Sequence, residues 1–272
     1  MTSLSEAPAP PKRDFVPLES NPTAINKYMQ GLGCSTEHFC WAELLSCEEW
    51  AFGMVPENRL AVMLNFPITE AVRADEALER QRIAATPQLV DASMFFCNQT
   101  IGNACGTVGI IHAIGQAKQQ VDLPLTGWLN AFFQECEGKS PMERADIMEH
   151  GEAADELEEL HEEAAADDDN TSAVDANLNN HFITFVVGRD NHLYECDGRK
   201  EWLVNHGKSS KETLLQDACK GEFGGCCWWW GGVVLICGFN NVLCCGVFFW
   251  LLFFCQSYKR NFLPGTPTEC LP

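Results

Sequence analysis

The sequence predicts an α+β fold, and three observations carry that prediction. Stretches 23–32, 106–119 and 125–135 place apolar residues at helical spacing. Residues 60–66 form a short apolar run of strand character that stops at Pro67. Residues 182–187 and 192–196 flank the turn Gly188-Arg-Asp-Asn191 and read as a β-hairpin. At 272 residues and 46% hydrophobic content, the chain is long enough for one large core.

Taken in order, residues 1–14 are a flexible leader, because the first eleven are polar and rich in Pro, Ala and Ser. Residues 23–32 make a short helix, with Gly31 and Gly33 as stop signals. The run 60–66 is a buried strand, and 71–85 is a solvent-facing helix because it is charged and rich in helix formers. Residues 93–97 are a short strand or an extended entry to the segment that holds Cys105. Val108, Ile111 and Ile114 recur every three residues, so 106–119 is expected to be a helix with one buried face. The next helix, 125–135, turns Trp128, Leu129, Phe132 and Phe133 inward. With few bulky apolar residues between 149 and 180, that stretch is expected to be a long surface excursion, partly helical at most.

The formal charge of -20 is mostly local. Fourteen of the 38 acidic residues lie between Glu143 and Asp175, where Arg144 is the only strong base. Phosphate backbones need clustered Lys and Arg, so nucleic acid is excluded as the partner and a basic protein or peptide is favoured. Eight of the fifteen cysteines are scattered up to Cys219 without a paired CxxC knuckle, and no secretory h-region opens the chain. That portion reads as reduced and intracellular.

The chemistry centres on Cys105, in the run Gln99-Thr-Ile-Gly-Asn-Ala-Cys-Gly-Thr107. It stands at the start of a predicted helix, where a thiolate is favoured, and an imidazolium nearby would favour it further. His181 opens the first hairpin strand and Asp197 comes just after the second, so antiparallel pairing brings their outer ends together. A carboxylate there would orient the imidazole, giving a Cys/His/Asp arrangement. Gln99 offers an amide donor to a developing oxyanion, alongside the Cys105 backbone N–H. Each residue alone has a plainer reading. Cys105 serves equally as a small buried hydrophobe, His181 as a turn histidine and Asp197-Gly198 as a simple turn, while His112 and His192 compete for the role of base.

Four separated blocks, in order, carry a resemblance. Gln99-Thr-Ile-Gly-Asn-Ala-Cys105-Gly-Thr-Val-Gly, His181-Phe-Ile, Leu193-Tyr-Glu-Cys-Asp197-Gly-Arg199-Lys and Asn205-His206-Gly207 closely resemble the ubiquitin C-terminal hydrolases, papain-like cysteine deubiquitinases of peptidase family C12. Leu18-Glu-Ser-Asn-Pro22 and Phe66-Pro-Ile-Thr69 are similar to early landmarks of that family. The resemblance spans about residues 15–219. It implies a papain-like fold with a central antiparallel sheet surrounded by helices, the catalytic helix crossing the core.

Carried over by position, it implies Cys105 as nucleophile, His181 as general base, Asp197 as orienting acid and Gln99 as oxyanion donor. The implied reaction is hydrolysis after the C-terminal glycine of ubiquitin, releasing small adducts or processing precursors, without metal or organic cofactor. The implied partners are ubiquitin or a ubiquitin-like protein and its C-terminal adducts, met by a monomer in the cytoplasm or nucleus. The resemblance also makes 144–180 an acidic crossover loop over the cleft.

Residues 15–222 are thus expected to form the hydrolase domain, and 223–272 an atypical Cys/Trp-rich apolar tail. From Phe223 to Tyr258 there is no charged residue, so 223–258 is the one stretch with the length to contact a membrane, although Asn240-Asn241 and several glycines interrupt it. Its abrupt change of composition favours an origin foreign to the fold, such as translated non-coding sequence. The family would instead return an apolar strand into the sheet there; part of 233–239 could substitute for it, although its glycine and cysteine make it a poor copy. A second functional class arises from that departure: a catalytically impaired ubiquitin-binding or membrane-tethered regulatory protein.

Eleven acids and no Lys or Arg lie between Glu149 and Asp169, and they serve either to steer ubiquitin's basic tail or as a solvated spacer. Under steering, neutralising them slows ubiquitin association and flattens its salt dependence in stopped-flow measurements. An unchanged rate at low salt leaves only the spacer.

Overall fold

The computed structural model of the protein describes residues 12–37, 39–166, 180–220 and 233–239. Its first helix, α1 (Pro22–Gly31), opens where the Asn21 side chain accepts from Thr23 N and Pro22 supplies a preset φ. It buries Ala24, Ile25, Tyr28 and Met29, spaced as one helix face. A strand that the periodicity does not announce comes next, β1 (Phe39–Leu44), then the short α2 (Glu49–Phe52) and the expected strand β2 (Arg59–Pro67). The charged helix α3 (Glu70–Ala85) buries Val72 alone, as its composition predicts.

Three more strands, β3 (Asn180–Val187), β4 (His192–Cys196) and β5 (Val204–Lys208), precede α8 (Leu214–Lys220) and β6 (Val233–Phe239). Between α3 and β3 lie α4 (Cys105–Gln120), α5 (Gly127–Glu135), α6 (Pro141–His150) and α7 (Ala154–Ala165). The six strands form one sheet in the order β1-β6-β2-β3-β4-β5, every neighbouring pair antiparallel. This is the α+β architecture that the sequence predicts, a central antiparallel sheet flanked by helices.

Both sheet faces are covered, which explains why β2 and β3 read as unbroken apolar runs. Alternate residues part to opposite sides. Ala61 and Met63 of β2 join the core around α4, with Phe182 and Val186 of β3. Val62, Leu64 and Phe66 face the other way with Ile183 and Phe185, against Leu214, Leu215 and Ala218 of α8.

Helix α4 departs from the expected one-sided burial. Every residue from Gly106 to Ala117 is buried, because the sheet covers one side and other core residues, among them Phe95, Phe132 and Phe133, cover the rest. Gly109 makes the sheet contact possible. A Cβ there would lie 2.9 Å from Met63 Sδ and 3.1 Å from Thr184 Oγ1, and the Thr184 hydroxyl donates to the Gly109 carbonyl at 2.9 Å.

The acidic stretch is more structured than expected. Most of it to residue 165 is helix, so the expected loop of 144–180 does not hold over 144–165, and 167–179 lie outside the described residues. Counting only bulky apolar residues misses what α7 buries: Leu157, His161, Ala164 and Ala165 lie on one face, and the acids take the other. The leader is also shorter than 1–14, because Arg13 and Asp14 are engaged. Arg13 Nε donates to Glu149 O at 2.8 Å, its guanidinium pairs with Asp155 and Glu158, and Phe15 N donates to Gly102 O at 2.9 Å.

The largest correction concerns the tail. Val233–Phe239 is not outside the domain but sits between β1 and β2, pairing Ala42 with Ile236 and Val62 with Ile236 from either side. Leu235, Ile236 and Cys237 are fully buried. The membrane-length run 223–258 therefore gives seven of its residues to the sheet, and the rest of it lies outside the described residues. Chain composition misleads here because a strand covered on both faces needs only apolar side chains, which Leu235, Ile236 and Cys237 supply.

Burying one large aliphatic side chain contributes about 1.5–3 kcal/mol. Losing two of them and a ladder on both sides is comparable with a whole domain's stability of about 5–15 kcal/mol. A chain ending at residue 222 is therefore expected to lose its cooperative thermal transition, and one ending at residue 240 to keep it. Equal melting of the two would show β6 to be dispensable.

Candidate active site

His181 enters the site from the first turn of β3, opposite Phe66 of β2, whose ring meets the imidazole edge-on. Asp197 comes directly after β4, and hairpin pairing brings the two together as the sequence predicts. His181 Nε2 donates to Asp197 Oδ1 at 2.7 Å, and neither side chain exceeds 3% exposure. Burial alone would lower the His181 pKa, but the Asp197 hydrogen bond and a second one with Cys105 outweigh it, raising it to about 9. Burial works against the Asp197 charge as well, and the bond from His181 overrides it, holding the carboxyl below its ordinary value. With Nε2 committed to Asp197, Nδ1 is the ring nitrogen left for Cys105.

Cys105 is the first residue of α4 and is partly buried. Ala104 caps the helix without a side-chain acceptor, so the positive end of the helix dipole falls on the thiol. The turn before it is tight, with Asn103 at φ 54° and its amide donating to Asp14 Oδ1 at 3.0 Å. Burial acts on other cysteines. Desolvation pushes Cys34 up to about 11 and Cys136 up to about 12, and moves Cys97, Cys196 and Cys237 in the same direction.

Gln99 is tied to the acid's turn by its backbone: its N–H donates to Gly198 O at 2.8 Å. Its side-chain Nε2 donates to Ile101 O at 3.1 Å, which leaves a second amide hydrogen. Gly198 is required for this approach, since a Cβ there would lie 2.8 Å from Val108 Cγ1 and 2.9 Å from Gln99 Cβ.

The competing histidines are placed elsewhere. His112 is wholly buried, stacks on Phe96 and hydrogen-bonds the Cys97 backbone, and desolvation lowers it to about 4, so it is a neutral core residue. His192 sits beside Asp190, at the opposite end of the hairpin from His181. Among the described residues no group of three His, Cys, Asp or Glu side chains is arranged to hold a metal ion.

Two supporting features escape sequence reasoning. One is a chain of hydrogen bonds in which Thr107, two residues past the thiol, meets Tyr28 Oη and His161 Nδ1, each at 2.9 Å. His161 Nε2 donates onward to Val16 O at 2.6 Å, and burial lowers this histidine to about 4. The other is Asn98, whose amide donates to Lys200 O at 2.9 Å in the turn after Asp197. The signal for Asn98 was its place beside Gln99; nothing local announces His161.

The sequence profile of ubiquitin carboxyl-terminal hydrolase, family 1, also termed Peptidase C12, matches residues 15–223. The chain belongs to this family. Ubiquitin carboxyl-terminal hydrolase 3 of Arabidopsis thaliana is 34% identical over 220 residues, covering 81% of this chain and 90% of that protein. The ubiquitin carboxyl-terminal hydrolase isozyme L1 of Sus scrofa is 38% identical over 204 residues, covering 75% and 87%. In fold, this hydrolase-family chain matches the catalytic domain of Trichinella spiralis UCH37, solved bound to ubiquitin vinyl methyl ester. The TM-score is 0.60 at 17% identity, over 84% of this chain and 96% of that one.

The raised His181 pKa has a stability consequence with a definite sign. A histidine raised from 6.5 to about 9 by folding stabilises fully below pH 6.5, and that contribution is lost as pH rises through about 9. In denaturant titrations between pH 6 and 10, wild type is expected to lose stability relative to His181→Gln. Parallel curves would contradict the shift.

Proposed function

We propose that the protein is a ubiquitinyl hydrolase that cleaves the bond after the C-terminal glycine of ubiquitin, releasing small adducts or processing precursors. The observation that carries this reading is the buried His181–Asp197 bond of 2.7 Å, made from the strand that shares a core with α4, whose first residue is Cys105. Family membership supports the thiol-protease chemistry, and UCH37's complex with a ubiquitin vinyl methyl ester supports ubiquitin as the partner.

In this reading Cys105 Sγ attacks the glycine carbonyl carbon and forms the C–S bond, while His181 holds the thiol proton. The oxyanion accepts from the Gln99 amide and the Cys105 N–H. Collapse expels the leaving amine, which takes the proton from His181, and a thioester remains. Water then adds to the thioester carbonyl as His181 takes its proton, the C–S bond breaks, and the departing Cys105 thiolate takes that proton from His181. Asp197 keeps Nε2 protonated and the ring oriented throughout.

The catalytic domain begins near Arg13 and takes in β6. Nine described cysteines are all free, which supports a reducing compartment, the cytoplasm or nucleus. No helix among the described residues is long and apolar enough to cross a membrane.

The test is turnover of a ubiquitin C-terminal fluorogenic amide by the full chain. Cys105→Ala is expected to abolish it, and Gln99→Ala to lower kcat by about a hundredfold. Asp197→Asn is expected to cost about a thousandfold or more, because it favours the wrong tautomer. Activity that survives Cys105→Ala rules the mechanism out, and tight ubiquitin binding by a wild-type chain without turnover points to a binding protein.

A further inference from the structure

Helix α3 presents a solvated face, yet two of its carboxylates reach the turn that carries Asp197. Glu76 Oε1 accepts from Arg199 Nη2 at 2.8 Å. Glu79 holds Lys200 Nζ at 2.7 and 3.1 Å. The same ammonium donates to Glu195 Oε1 of β4 at 2.6 Å, and Glu195 Oε2 accepts from His206 Nε2 of β5 at 3.0 Å. The Glu195 side chain is 1% exposed and Lys200 17%, so the pair lies well out of bulk water.

Such a pair is a poor device for stability alone, since desolvating two charges offsets most of their attraction and apolar side chains of similar volume serve about as well. Its position supplies the better reason. Lys200 is the last residue of the Asp197 turn: its N–H donates to Asp197 O at 2.9 Å, and its carbonyl accepts from Asn98 Nδ2 at 2.9 Å. Within the turn, Arg199 N donates to Asp197 Oδ1 at 2.9 Å, on the oxygen that also meets His181, and Gly198 O accepts from Gln99 N. One residue therefore joins the acid's turn to the Gln99 segment by its main chain, and to β4 and α3 by its side chain.

We propose that Lys200 is a positioning residue for the reaction: its ammonium, clamped between Glu79 and Glu195, fixes the turn 197–200 and so sets the Asp197 carboxylate against His181 and anchors the backbone of Gln99. Helix α3 thereby acts on the site without touching substrate. The inference rests on the roles assigned above to Asp197 and Gln99.

The full chain carrying Lys200→Met is compared with wild type in two assays. One is steady-state turnover of the ubiquitin C-terminal amide. The other is the NMR signal of the His181 Nε2 proton without ubiquitin. Glu79→Gln is the second variant, because it loosens the clamp from the α3 side and leaves the Lys200–Glu195 pair in place. Lys200→Met is expected to lower kcat about tenfold with KM within about twofold, since a small misplacement of reacting groups costs rate rather than binding. Glu79→Gln is expected to lower it about threefold. Both shift or broaden the His181 signal. Wild-type kcat, or an unmoved His181 signal, in the folded variants overturns the proposal even if their melting temperatures fall. Should Lys200→Met fail to fold, Glu79→Gln decides. Should wild type itself not turn over, the hydrolase reading fails on that result, and the His181 signal still decides the clamp.

Discussion

The rest of the molecule depends on how closely α4 lies on the sheet. Gly109 leaves no side chain between the helix and β2 and β3, where Met63 Sδ and Thr184 Oγ1 occupy the space a Cβ would need. That contact sets the height of the helix over the strands, and with it the place of Cys105 about one turn earlier. His181 lies on β3 three residues before Thr184, so one packed contact fixes Cys105 and His181 relative to each other. A glycine in a helix interior costs about 1 kcal/mol in propensity. Here it allows the backbone approach that the site requires.

The buried histidines His112, His161 and His181 fall into two kinds, separated by whether a carboxylate bonds the ring. His112 and His161 bond to backbone carbonyls and a hydroxyl, and desolvation takes both to about 4. His181 is as secluded, yet Asp197 and Cys105 raise it to about 9. The same side chain is thus pushed toward its neutral form in two places and toward its charged form in the third. The charged kind continues in Lys200, Glu195 and Glu79, so the hairpin's outer end, the turn after Asp197 and α3 form one ionic layer beside the Asp197 carboxylate.

What the sequence made legible was whatever is local. The hairpin, β2, α1 and α5 arise from periodicity and punctuating residues, and His181 and Asp197 meet because a tight turn joins their strands. The candidate site residues were marked by residue types in order along the chain. What stayed illegible is tertiary. α4 is buried all round because elements distant in sequence cover it. α7 buries alanines and a histidine that hydropathy does not count as core. β6 was hidden by its surroundings, since an apolar strand inside an uncharged run has no edges to mark it. The Lys200–Glu79 pair joins residues 121 apart and leaves no pattern to read.

The central claim is that Cys105, alone among the cysteines, is the nucleophile aimed at the C-terminus of ubiquitin. The most direct measurement is peptide mapping by mass spectrometry after the full chain meets ubiquitin bearing a C-terminal vinyl methyl ester. The account predicts a single covalent adduct on Cys105, formed far more slowly in the His181→Ala protein. No adduct, or one on a partly exposed cysteine such as Cys40 or Cys47, would contradict it.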